Sequence, residues 1–123
     1  MTEALYLERP WTRFYPPGTP SQVEPGQGSV GEWVAEAFRS WERSVAIFYY
    51  GRAYRYGELL EAAQRFAGGL QALGLRLGDR VGLYLANSPQ FAIAYLGILW
   101  AGGVVVPVSP LYTSHELAHQ LRD

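Results

Sequence analysis

The 123-residue chain has a mass of 13.7 kDa, which corresponds to one ordinary domain and excludes two full domains. Hydrophobic residues make up 49% and charged residues 17%, and this composition excludes a disordered or fibrous chain. Ten basic residues are scattered along the chain against eleven acidic ones, so the sequence predicts no nucleic-acid partner.

Residues 1–28 differ in composition from the rest and are predicted to form an extended Pro/Gly/aromatic arm. They hold five of the eight prolines, and proline cannot donate to a regular hydrogen-bond ladder. The arm also carries Trp11, Phe14 and Tyr15, large apolar groups that are costly to leave in water. We therefore predict a homo-oligomer in which these three residues form the contact.

Residues 29–123 show the alternating pattern of an incomplete α/β subdomain. Ser29 followed by Glu32 is a capping box that predicts the start of a helix. β-Branched and aromatic runs on either side of Gly51 predict a hairpin. The elements expected up to Gly74 are a helix at 30–41, strands at 45–50 and 53–56 joined by a turn at Gly51-Arg52, and a helix at 57–73.

The stretch between Val81 and Ser114 contains no charged side chain, and its most apolar part has the hydropathy of a membrane span. Gly102-Gly103 and Pro107 interrupt that part. A helix between Ser88 and Gly102 would be ~20 Å long, which is shorter than the ~30 Å hydrocarbon core of a membrane. We therefore predict no membrane span but a parallel β-α-β unit. Its parts are a strand at 81–85, a helix at 89–101 and a strand at 104–108.

His115-Glu116-Leu117-Ala118-His119 has the H-E-x-x-H spacing that places two imidazoles on one helix face for zinc, with the glutamate as general base. Catalytic zinc needs three protein ligands, and only four residues follow the motif. The alternative is a solvated face of an amphipathic helix with Leu117 and Leu121 on the packed side. We favour the solvated face and predict no metal site, with a zinc hydrolase through His115 and His119 as the less favoured alternative.

Two residue types that often carry chemistry are missing. The ten basic residues are all Arg, so a Schiff-base lysine and a phosphate-binding lysine are excluded. There is no Cys, which excludes thiol catalysis and favours a reducing, cytoplasmic location. The residues alone thus predict no catalytic, cofactor-binding or metal-binding position.

Several short motifs are spread over essentially the whole chain. In chain order they are Arg9-Pro10-Trp11, Tyr15-Pro16-Pro17-Gly18, Gly78-Asp79-Arg80-Val81, Asn87-Ser88-Pro89-Gln90-Phe91, Tyr95-Leu96-Gly97-Ile98-Leu99, Ala101-Gly102, Pro110-Leu111-Tyr112-Thr113, Glu116-Leu117 and His119-Gln120-Leu121-Arg122-Asp123. Together these motifs resemble adenylate-forming acyl-CoA ligases, with the bacterial long-chain fatty acid–CoA ligases as the most similar branch. Ser109, directly before Pro110-Leu111-Tyr112, departs from the Asn usual at that position in the family.

The resemblance implies a partial N-terminal subdomain of the adenylate-forming ligase fold, with a short β-hairpin, a parallel β-α-β sheet and flanking helices. It implies that the full-length family member joins a long-chain fatty acid to coenzyme A through an acyl-adenylate, using ATP and Mg²⁺ and releasing AMP and pyrophosphate. The phosphate loop, the metal and adenine sites and the catalytic lysine of that family lie downstream of this region. We therefore expect an inactive fragment of such a ligase, and a non-catalytic oligomerisation module is the alternative.

Overall fold

A computed structural model describes residues 8–24 and 26–122. Residues 1–7 and Pro25 of the predicted arm, and Asp123 of the predicted subdomain, lie outside the described residues. A 3-10 helix occupies Pro10–Phe14, although an extended chain was predicted there. Pro10 supplies a fixed φ suited to the first helical position, and the backbone N–H of Thr12 donates to the Arg9 carbonyl at 3.0 Å.

The elements that follow match the predicted order. Their ends lie within two residues of the predicted ones. They are α1 (Val30–Ser40), β1 (Val45–Tyr49), β2 (Arg52–Arg55), α2 (Tyr56–Ala72), β3 (Arg80–Leu83), α3 (Pro89–Trp100), β4 (Val104–Pro107) and α4 (Ser114–Gln120).

The helices begin where the sequence signals place them. Ser29 and Glu32 form the predicted capping box of α1, and Thr113 forms a second box with Glu116 at the start of α4. The Ser88 hydroxyl accepts from the Phe91 N–H at 3.2 Å and so caps α3. Side-chain acceptors thus satisfy N–H groups that each helix start would otherwise leave unpaired.

The hairpin of β1 and β2 is antiparallel, but its turn differs from the prediction. Tyr49 pairs with Arg52, so the turn residues are Tyr50 and Gly51 rather than Gly51 and Arg52. Both have positive φ, 45° and 78°. Two positive φ values are typical of the type I′ turn, whose twist matches that of the strands.

The predicted β-α-β unit is confirmed. β3 and β4 pair in parallel with Arg80 opposite Val104 and Leu83 opposite Pro107, and α3 connects them. Leu83, Ala94 and Ile98 form the buried core between this sheet and α3, with Val81 and Val105 packed against it. The predicted fold class, a mixed α/β fold with a hairpin, a parallel pair and flanking helices, is therefore confirmed.

Helix α2 lies against α3, and the two approach closely at Gly97. A Cβ atom built there would stand 2.7 Å from Phe66 Cδ1 and 2.8 Å from the Ala63 carbonyl oxygen. Ala63 and Ala67 on the facing side of α2 are buried. Small residues on both helices therefore allow their backbones to come together.

Helix α1 packs through its small residues. The buried residues are Gly31 and Ala35, whereas Trp33 and Trp41 are exposed. The Trp100 indole on α3 explains why Gly31 is on the buried side. Its Nε1 donates to the Gly31 carbonyl at 2.7 Å, and the indole ring occupies the space that a side chain at position 31 would need. In the part of the chain that the structure describes, no helix is long and apolar enough to cross a membrane.

Candidate functional site

The carboxyl ends of β3 and β4 lie side by side, at the edge where open parallel sheets bind their ligands. Tyr84 directly follows β3, and its hydroxyl donates to the Pro110 carbonyl at 3.1 Å. The Tyr112 carbonyl lies 3.5 Å from the same hydroxyl. Tyr84 therefore ties the loop after β4 to the end of β3 and fixes the shape of this edge.

The segments that follow β3 and β4 contribute hydroxyl groups but no charged side chain. Ser88 is engaged in capping α3, and the Ser109 hydroxyl accepts from the Leu111 N–H at 3.3 Å. No Asp, Glu, Lys, Arg or His lies between Val81 and Ser114, so these segments supply no carboxylate, imidazole or cationic group for general acid–base catalysis. The charged neighbours come from α4, where Glu116 and His119 line a pocket with Tyr112.

Helix α4 carries the H-E-x-x-H motif, but its glutamate already has a structural role. Oε2 of Glu116 accepts from the Thr113 backbone N–H at 2.8 Å and from the Thr113 hydroxyl at 2.7 Å. The backbone bond, followed by the hydroxyl bond, lowers the pKa of Glu116. A carboxylate held in this way suits a helix cap rather than a general base.

The two histidines of the motif, His115 and His119, are exposed. Within residues 8–24 and 26–122, no group of three His, Asp or Glu side chains could hold a metal ion. Leu117 is half-buried, as the solvated-face interpretation requires, but Leu121 is exposed. The Leu121 side chain lies over β3, where a Cβ atom built at Gly82 would stand 3.6 Å from Leu121 Cδ2.

The three predicted contact residues of the arm lie on and just after the 3-10 helix. Trp11, Phe14 and Tyr15 are 40%, 74% and 41% exposed. The Arg13 guanidinium lies over the Phe14 ring, 4.6 Å from its centroid. The arm therefore presents aromatic surface beside a cation, which is compatible with a contact to another chain.

Two residues with structural roles were not predicted, Tyr84 at this edge and Trp100 between α1 and α3. Tyr84 could have been found from its position, since it lies near the end of the parallel strand predicted at 81–85, where functional side chains gather. Trp100 gave no such signal, because its partner Gly31 lies 69 residues away in sequence.

Comparison with known proteins gives consistent results. Residues 34–123 match the family described as "AMP-binding enzyme". A long-chain-fatty-acid–CoA ligase of Bacillus subtilis is 38% identical over 119 residues, 97% of this chain and 21% of that protein. A long-chain-fatty-acid–CoA ligase of Yersinia pestis is 39% identical, over 95% of this chain and 21% of that protein. The chain thus spans about a fifth of the length of the curated relatives it matches.

Solved structures show the same arrangement. The N-terminal subdomain of Klebsiella oxytoca NpsA, in complex with 3-hydroxyanthranilyl-AMSN, superposes with a TM-score of 0.73 at 28% identity, over 76% of this chain and 24% of that one. Apo MatB from Rhodopseudomonas palustris superposes with a TM-score of 0.67 at 34% identity, over 76% of this chain and 19% of that one.

Proposed function

Because the chain belongs to the AMP-binding enzyme family, we propose that it forms the first part of a long-chain fatty acid–CoA ligase and serves there as scaffold. The observation that carries the proposal is the similarity to long-chain fatty acid–CoA ligases over nearly the whole chain. The parent reaction would convert a fatty acid, ATP and coenzyme A into acyl-CoA, AMP and pyrophosphate, and a cytoplasmic location goes with it.

The absence of a metal cluster and of a lysine supports a chain that holds no ATP, Mg²⁺ or coenzyme A by itself. The segments that follow β3 and β4 contribute no charged side chain, and no group of three acidic residues or histidines within residues 8–24 and 26–122 could hold a metal. The chain also has no lysine to neutralise charge on a transferring phosphate. We therefore propose that this chain alone is catalytically inert, and no reaction step is assigned to its residues.

A chimeric enzyme tests the scaffold role. The matched residues of the Bacillus subtilis ligase would be replaced by this chain, and AMP release would be measured with ATP, Mg²⁺, coenzyme A and palmitate. The ligase lacking those residues is the control and should release none. We expect the chimera to retain activity within about tenfold of the parent. A chimera that melts cooperatively but releases no AMP would contradict the proposal.

The exposed aromatic arm favours a second role, as a contact in a homo-oligomer formed through Trp11, Phe14 and Tyr15. Deletion of residues 1–20 should lower the mass measured by light scattering. Substitution of Trp41 and Phe48 by Ala is the control, because these exposed aromatic residues lie outside the arm. An unchanged mass after the deletion would exclude the arm as the contact.

A further inference from the structure

The predicted arm folds back on itself between Arg9 and Ser21. Nη1 of the Arg9 guanidinium donates to the Ser21 carbonyl at 3.2 Å, which joins two residues twelve positions apart. Within the loop so closed, the Thr19 N–H donates to the Pro16 carbonyl at 3.1 Å, and Gly18 between them has a φ of 84°. Loops whose ends lie close together are compact surface elements. The aromatic surface of the arm is therefore carried by a closed loop and not by an extended chain.

The chain between this loop and α1 is held by Trp33. The Trp33 Nε1 donates to the Gln27 carbonyl at 2.9 Å. Its ring lies against Gly26, where an added Cβ would stand 2.5 Å from Trp33 Cζ2. Gly28 has a φ of 109°, and a Cβ there would stand 3.3 Å from Trp33 Nε1. One hydrogen bond and close contact with two glycines thus fix residues 26–28, and we call Trp33 together with these residues the clasp.

The clasp lies apart from the surface through which α1 packs. Gly31 and Ala35 are the buried residues of α1, whereas Trp33 is 44% exposed. A tryptophan contributes most to a core through the apolar area it buries, and its indole N–H needs a hydrogen-bond partner. Trp33 finds that partner in the backbone of the arm. Its interactions therefore attach the arm to α1 more than they stabilise the core.

We propose that the clasp fixes the position of the aromatic loop on α1 and thereby preorganises the contact of the homo-oligomer. This inference rests on the proposed role of Trp11, Phe14 and Tyr15 in that contact, and the partner is a second copy of this chain. A binding element that is already ordered loses less conformational freedom on association and so binds more tightly. Trp33 is thus a positioning residue that acts through the arm.

Spin labels measure whether the clasp holds the arm. The chain contains no Cys, so Ser21→Cys in the arm and Gln71→Cys on α2 place one pair of labels. Both positions are exposed, and dilution with unlabelled chain restricts the measurement to distances within one molecule. We expect a narrow distance distribution in the parent and a broad one in Trp33→Ala. Trp41→Ala is the matched control and should stay narrow, because Trp41 is an exposed tryptophan at the end of α1 and outside the clasp.

The dissociation constant of the homo-oligomer tests whether this position matters for the contact. Sedimentation over a series of concentrations would measure it for the parent and each variant. We expect Trp33→Ala to raise the constant at least about tenfold, because the arm must then be ordered on association. Trp33→Phe keeps a ring against Gly26 but cannot donate to Gln27, so its constant should lie between those of Trp33→Ala and the parent. The urea midpoints should stay close to that of the parent, since Trp33 lies outside the buried core.

Two results would overturn the proposal. One is a distance distribution as narrow in Trp33→Ala as in the parent, and the other is a broad distribution with an unchanged dissociation constant. Failure of the proposed homo-oligomer is a separate result, because a chain that stays monomeric, or whose mass is unchanged by deletion of residues 1–20, would remove the contact itself. The label distances would then still decide whether the clasp holds the arm.

Discussion

The close approach of α2 and α3 at Gly97 makes a sharp prediction for the Gly97→Ala variant. The added Cβ would lie 2.7 Å from Phe66 Cδ1 and 2.8 Å from the Ala63 carbonyl oxygen. The Phe66 ring can turn aside, but the Ala63 oxygen belongs to the backbone of α2. The two helices must therefore move apart, and the packing of Ile98 in the core moves with them.

The change in the free energy of unfolding caused by Gly97→Ala follows from two opposing effects. Overpacking of this kind costs about 1–3 kcal/mol. Replacing a helical glycine by alanine gains about 0.8–1.0 kcal/mol in an exposed helix interior. Gly68 is the matched control, because it lies in α2 and its added Cβ would meet nothing within 4 Å. Gly68→Ala should thus stabilise the chain, and the two variants should differ by the overpacking cost.

Urea unfolding followed by circular dichroism measures this difference. With a slope of about 1–3 kcal/mol per molar urea, the midpoint of Gly97→Ala should lie roughly 1 M below that of Gly68→Ala. Equal midpoints for the two variants would refute the packing of α2 on α3 described above.

Three further predictions concern a hydrogen bond, a helix cap and the histidine motif. Trp100→Phe removes the indole bond to Gly31 and should cost about 1 kcal/mol in urea unfolding, and an unchanged midpoint would show that the bond contributes nothing. The hydrogen bond from the Ser29 backbone N–H, followed by the bond from the Ser29 hydroxyl, lowers the pKa of Glu32. The ionised Glu32 therefore stabilises the fold above its unfolded-state pKa of about 4.3, and this stabilisation is lost as the pH falls through the lower folded-state value. Between about pH 6 and pH 3 the urea unfolding midpoint of the parent should therefore fall further than that of Glu32→Gln. Equal decreases in the two midpoints would contradict this role of the Glu32 carboxylate. Metal analysis of the chain after incubation with zinc should find no stoichiometric binding, whereas bound zinc that disappears in His115→Ala would revive the hydrolase alternative.

The local signals in the sequence predicted much of the fold. Ser29 with Glu32, and Ser88 before Pro89, marked the starts of α1 and α3, because capping depends on residues within one helical turn. The order of apolar strand, helix and apolar strand after Arg80 also predicted the parallel unit, because such a pattern depends on neighbouring residues in the sequence. Features of this kind are encoded within a few residues.

Contacts between segments that are far apart in the chain could not be predicted from these local signals. The packing of α1 through Gly31 depends on Trp100, which lies 69 residues away and fills the space beside that glycine. The hairpin turn was placed one residue late because Tyr50 adopts a positive φ, which favours glycine and is uncommon for other residues.

If this chain contributes structure rather than chemistry, as proposed, the purified chain should release no AMP. The chain would be incubated with ATP, Mg²⁺, coenzyme A and palmitate beside a boiled control. We expect equal AMP in both samples. AMP above the boiled control, abolished by omitting palmitate, would contradict it.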